Sequence, residues 1–130
     1  MSRFQEYRVA VTTTGEAGSA TGSANSETIN GEIHAVHIDY NASAPDTTTV
    51  DIDEVGGAAR KILDKAASKT DVTHYPRVAV EDNTGTGVTY DGSNEIYEPF
   101  ALAGRKLQVA VAASDELTDA VVVTIIVKEE

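Results

Sequence analysis

An all-β fold is predicted, a β-sandwich or jelly-roll-like barrel of mostly antiparallel strands. Three observations predict it. Apolar residues alternate with polar ones at a period of two in most segments, so each segment can bury one face of a strand. The apolar content is 41% but only 5% of residues are aromatic and Trp is absent, so the core must be Val, Ile, Leu and Ala. Such side chains suit a pleated, half-buried surface. Clusters of Asn, Asp, Gly and Pro divide the segments at spacings typical of short-stranded sandwiches.

Taken in order, "YRVAVT" places Tyr7, Val9 and Val11 on one face and Arg8, Ala10 and Thr12 on the other. In "EIHAVHIDY", Val36, Ile38 and Tyr40 align. In "TTTVDIDEV", Val50 and Ile52 oppose Thr49, Asp51 and Asp53. "PRVAVED" sets Val78 and Val80 against Arg77, Ala79 and Glu81, and "RKLQVAVAA" sets Leu107, Val109 and Val111 against Lys106, Gln108 and Ala110. "AVVVTIIVKE" is apolar on both faces and reads as a central strand. The turn segment "ASDELTD" (113–119) predicts that the last two strands pair as a hairpin. Other turns are predicted at 41–49, 81–87 and 90–95, where Asn, Asp and Gly accept positive φ.

Two segments read differently. Residues 14–31 are rich in Gly, Ser, Thr and Ala and predict a flexible segment, or a weak strand around Ser23 to Ile29. Residues 56–71 predict a short helix or helical turn, the one exception to the all-β pattern. Lys61, Lys65 and Lys69 recur at four-residue spacing, and Ile62, Leu63, Ala66 and Ala67 would form a narrow apolar stripe. A strand at Lys61–Leu63 is the competing reading. No repeat or second domain is visible, so residues 1–130 are expected to form one β domain.

The formal charge is −11. Such a surface repels phosphates and anionic membranes, so neither nucleic acid nor a membrane is an expected partner. The acidity fits solubility and would fit a high-salt habitat. Cysteine is absent, which removes disulfides, thiolate nucleophiles and zinc–thiolate centres. The first fifteen residues lack the apolar region of a signal peptide, and no run approaches a membrane span.

Enzyme motifs are missing, so no catalytic residue, no cofactor and no metal site is expected. There is no G-x-S-x-G elbow, and Gly85-Thr86-Gly87 lacks the rest of a phosphate loop and reads as a hairpin turn. His34 and His37 lie three apart on a strand, hence on opposite faces, and do not suit a shared metal. The acidic run Asp46, Asp51, Asp53 and Glu54 lacks an EF-hand pattern and reads as a solvated face and turn. Arg60, Lys61, Lys65 and Lys69 form the one dense basic segment. They read either as a docking face for an acidic partner, such as a neighbouring copy's acidic strand, or as plain solubility. Asn41-Ala42-Ser43 matches a glycosylation sequon and reads as a turn.

The stretch "THYPRVAVEDNTGTGVTYDGSNEIYEPFALAG" (73–104) gathers His, Tyr and carboxylates as an active site would. Pro76 biases Tyr75 to extended geometry and cannot donate to a ladder, so "THYP" reads as a strand entry. The two turns then bracket a short strand "VTY". Tyr75, Arg77, Asp82 and Asn83 become candidate contacts for a partner, because loops on rigid β scaffolds carry binding.

The order of "IDYNASAPDTTTVDI", the "YPR" step at Tyr75 to Arg77, and the strand entry "PFALAGRKLQVAV" resembles small accessory head proteins of tailed double-stranded DNA viruses. The resemblance runs from about Gly31 to Val127, and the Lys-rich 60–69 stretch departs from it in its helical look. The resemblance implies a non-enzymatic virion component: a capsid decoration protein bound to the major capsid protein, made in the host cytoplasm, and a homo-oligomer with a trimer favoured. Alternatives are a head–tail connector or tail protein, or a glycan-binding β-sandwich on a tail or fibre, for which Tyr75, Tyr90 and Tyr97 would serve.

Overall fold

The computed structural model describes residues 2–129 and is all-β, with ten strands and no helix among them. The strands are β1 (Arg3–Val11), β2 (Ala20–Asn25), β3 (Ile29–Tyr40), β4 (Thr49–Val55), β5 (Lys61–Lys65), β6 (Val72–His74), β7 (Arg77–Ala79), β8 (Tyr97–Pro99), β9 (Ala101–Ser114) and β10 (Val121–Glu129). Eight of them form one antiparallel sheet in the order β1-β10-β3-β9-β4-β5, with β2 also on β9 and β6 also on β3; β7 and β8 pair separately.

That sheet folds over at a shared corner. β3 and β9 pair only over their first residues, Ile29–Glu32 against Ala101–Arg105. Beyond the corner β3 continues between β10 and β6, while β9 continues between β4 and β2. The result is sandwich-like, with β1-β10-β3-β6 as one layer and β2-β9-β4-β5 as the other.

The alternation read from sequence fills the space between the layers. Val9 and Val11, Val50 and Ile52, Leu107, Val109 and Val111, and Val121, Val123, Ile125 and Val127 are all buried. Each such side chain contributes about 1.5–3 kcal/mol relative to exposure. β10 is a central strand, paired on both sides as expected. Its outer residues Val122, Thr124 and Ile126 are half-buried.

Two local expectations are corrected. Residues 56–71 hold no helix: the competing strand reading at Lys61–Leu63 holds, as part of β5 (Lys61–Lys65), antiparallel to β4. The register shifts so that Leu63 faces Ile52 and Lys61 faces Asp53, which leaves Ile62 as an extra, bulged residue. Ile62 is buried and Leu63 packs on the core. Two adjacent apolar residues therefore imitate a helix stripe. The turn before β5 runs through Gly56 (φ 76°), Gly57 (φ 57°) and Ala59 (φ 50°), a left-handed path that cannot start a helix.

The last two strands do not pair. β9 and β10 lie in different layers, and the connection between them crosses over. It is tied down by the buried Thr13, whose N–H donates to the Leu117 carbonyl at 3.0 Å and whose hydroxyl accepts from Leu117 N–H at 3.1 Å.

The 14–31 segment, expected as a flexible segment or a weak strand around Ser23 to Ile29, carries β2 and the start of β3. Its small residues have a packing reason: a Cβ at Gly22 would collide with the Thr12 carbonyl oxygen at the end of β1. The composition that resembles a linker is what lets β1 and β2 approach this closely.

A candidate docking surface

β3 contains a bulge that organises the exposed side of its layer. Ile126 pairs with Ala35 and Val127 with Ile33, so His34 is the extra residue. The bulge changes the expected placement of the two histidines. His34 and His37 both lie on the outer side, each with its own partner. His37 Nδ1 lies 2.8 Å from Thr73 Oγ1. His34 stacks edge-on between Phe4 of β1 (5.1 Å between centroids) and Tyr75 (5.9 Å). Phe4 is 60% exposed and Tyr75 59%, so the three rings form an open aromatic row.

A bulge leaves ladder carbonyls without partners, and a lost partner has to be replaced. Arg77 supplies it. Its Nη1 donates to the carbonyls of Pro76 (2.8 Å), His34 (3.2 Å) and Ile33 (3.4 Å). Arg77, a candidate contact by sequence, is thus committed to holding Tyr75 and the following segment against β3.

That segment is an arm. β7 and β8 form its stem, with Val78 packed on the core. From Glu81 to Glu98 every residue is exposed except the half-buried Val88. The expected strand "VTY" makes only isolated pairings. Val80 N–H donates to Ile96 O (2.8 Å), Val88 N–H to Val80 O (2.9 Å) and Ile96 N–H to Val88 O (3.0 Å), a closed ring of three backbone bonds.

Two aspartates build the arm's turns. Asp82 Oδ1 accepts from the backbone N–H groups of Thr84 (2.8 Å) and Thr86 (3.0 Å) and from the Thr84 hydroxyl (2.7 Å). These bonds favour the carboxylate and lower its pKa. Asp91 accepts from the N–H groups of Asn94 (2.7 Å) and Ser93 (3.0 Å), which with the Asn94 side chain hold its pKa down to about 2. Asp82 is therefore spent inside the turn, whereas Asn83 stays exposed beside it.

The arm also carries Tyr90 (70% exposed), Ile96 (39%) and Tyr97 (59%). Together with Phe4 and Tyr75 these are five of the six large exposed hydrophobic residues among the described residues. Phe4 and Ile96 escaped sequence reasoning. Phe4 joins Tyr75 only through a bulge on another strand, and Ile96 looks like an ordinary strand residue. From Val78 to Gly104 there is no Lys or Arg, while Glu81, Asp82, Asp91, Glu95 and Glu98 supply five carboxylates. The arm is apolar and acidic at once.

The basic segment behaves differently from a single docking face. Arg60 grips Glu54, whose side chain is 3% exposed at the end of the inner face of β4. Nη2 donates to Oε2 at 2.9 Å and Nε to Oε1 at 3.2 Å, Nη2 also reaches the Ala101 carbonyl at 2.8 Å, and the guanidinium lies 5.6 Å from the Phe100 ring centre. The Arg60 hydrogen bonds hold the Glu54 carboxyl below the usual range. Lys61 bridges Asp53 (3.2 Å) and Asp51 (3.7 Å) on the outer face of β4 and β5. Asp51 sits directly opposite Asp64, and burial together with that neighbour raises its pKa. Lys65 is half-buried near His74, and Lys69 is exposed in the loop after β5. The four cations share no face.

No protein-family model matches this chain, and no curated protein matches it.

Proposed function

We propose that this chain is a non-enzymatic virion structural protein: a capsid decoration protein that docks on the outside of a major capsid shell and stabilises it. The observation that carries the docking role is the exposed Phe4–His34–Tyr75 row together with the exposed Tyr90, Ile96 and Tyr97 of the arm. Exposed apolar groups gathered in this way mark interaction surfaces more often than solvated ones. The capsid as partner comes from the resemblance to accessory head proteins. The arm's carboxylates would then face a basic rim on the shell. Copies bridging neighbouring capsid subunits would add many modest interfaces by multivalency, so the shell resists internal pressure.

Purified protein mixed with undecorated capsids is expected to bind stoichiometrically and to raise their disruption temperature. A Tyr90→Ser, Ile96→Ser, Tyr97→Ser variant is expected to keep its fold and lose binding. A parent protein that leaves capsids unbound and no more heat-resistant would overturn the proposal. The same experiment on connector and tail assemblies distinguishes a head–tail connector or tail component. Tyr75, Tyr90 and Tyr97, each at least 59% exposed, are the observation that favours a second reading, a glycan-binding β-sandwich. A glycan array separates it from the first.

A further inference from the structure

β1 is a nine-residue strand that pairs only with β10, and it ends the sheet order of its layer. Among the described residues no strand is paired to its other edge, although β2 comes close to the C-terminal end of β1 at Gly22; a row of backbone donors and acceptors of this kind is a template for another strand. Proteins usually blunt such an edge with a proline, a bulge, a very short strand or charged side chains; of these β1 has only the charges of Arg3, Glu6 and Arg8. Its outward residues read Phe4, Glu6, Arg8, Ala10, the faces being set by the buried Val9 and Val11. Glu6 and Arg8 are exposed and, among the described residues, make no ion pair or side-chain hydrogen bond. A polar groove of about 260 Å³, lined by Gln5, Glu6, Tyr7, Arg8 and Glu27, runs beside this strand.

We infer that two copies of this chain pair through β1, antiparallel and about a twofold axis at Tyr7, to make one continuous sheet across the dimer. Symmetry restricts the choice. Antiparallel partners share a face, so a twofold axis must pass through a residue position rather than between two. An axis at Glu6 would set Glu6 against Glu6 of the second copy, and an axis at Arg8 would set Arg8 against Arg8. Both place like charges opposite, which destabilises a sheet. An axis at Tyr7 sets Glu6 against Arg8 twice over and Phe4 against the small Ala10 twice over. The strand is self-complementary in that register. This contact does not depend on the capsid reading, and it is twofold where the resemblance implies a trimer.

Sedimentation equilibrium of the full chain tests the inference. The parent protein is expected to be a dimer whose β1 amides exchange slowly. Glu6→Arg and Arg8→Glu are each expected to weaken dimerisation about thirtyfold or more, since two favourable pairs become two repulsive ones. Both residues are exposed, and circular dichroism checks that each variant folds. Mixing the two variants restores both pairs between unlike chains, so a heterodimer is expected, and the double variant E6R/R8E is expected to dimerise like the parent. A monomeric or trimeric parent would overturn the inference. So would single variants that dimerise as well as the parent, or a mixture that stays monomeric.

Discussion

Arg60→Ala offers the sharpest test of the energetics. The variant removes both bonds to Glu54, the bond to the Ala101 carbonyl and the contact with Phe100, and leaves a carboxylate in a site where its side chain is 3% exposed. Breaking a fully buried pair costs about 3–5 kcal/mol, because the remaining charge has neither water nor a partner. Arg60 itself is 37% exposed, so water enters when it is removed and screening reduces the loss. About 2 kcal/mol remains, which for a domain of this size lowers the melting temperature by about 6–10 °C. The pH dependence supplies a second reading. The folded pKa of Glu54 lies below its ordinary value of 4.5, so its stabilisation is fully present above that pH and is lost as pH falls through the folded pKa. In Arg60→Ala the bonds that lower this pKa are gone, so the gap between parent and variant narrows on acidification. Replacing both partners by apolar residues, Glu54→Leu with Arg60→Met, is expected to bring stability back to within about 1 kcal/mol of the parent. Urea denaturation followed by circular dichroism, at neutral and acidic pH, measures all three. If Arg60→Ala unfolds at the same urea concentration as the parent at both pH values, the reasoning fails.

Burial, with Lys65 nearby, depresses the pKa of His74, and its Nε2 is buried without a partner among the described residues. The stability tied to neutral His74 is present above its ordinary 6.5 and lost as pH falls through the folded pKa, so His74→Gln is expected to flatten that part of a urea-midpoint profile. Gly22→Ala forces a methyl into the Thr12 carbonyl, and a loss of about 2 kcal/mol is expected in the same denaturation assay. Asp91→Asn weakens the acceptor of a fully exposed turn. Hydrogen exchange at Ser93 and Asn94 is expected to quicken while the global melting temperature holds.

The strands that were legible in the sequence are those with one face against the core. β1, β4 and β9 show strict alternation because a one-residue slip would turn their Val and Ile residues to water. β5 was legible only as the competing reading, because its bulge at Ile62 breaks that period, and a broken period of two beside lysines four apart looks like a helix. The false hairpin between β9 and β10 came from adjacency in the chain. They lie in different layers, and the loop between them is held by Thr13, more than a hundred residues from its partner Leu117. The candidate surface was half legible. Tyr75 and Asn83 are exposed, as a turn-rich stretch predicts. Arg77 looked equally free, yet two of its three carbonyl partners lie more than forty residues back in β3. No local pattern announces that bulge, so neither the anchoring of Arg77 nor the Phe4–His34–Tyr75 row could be read before the fold was known.

The absence of cations from the arm also decides how its state is to be probed. Trypsin cuts after Lys and Arg, so it has no target between Arg77 and Arg105 and leaves the arm intact whether it is covered or bare. A protease specific for glutamate meets Glu81, Glu95 and Glu98, all exposed. Cleavage there reports directly on whether the arm stands free in solvent or lies against a partner.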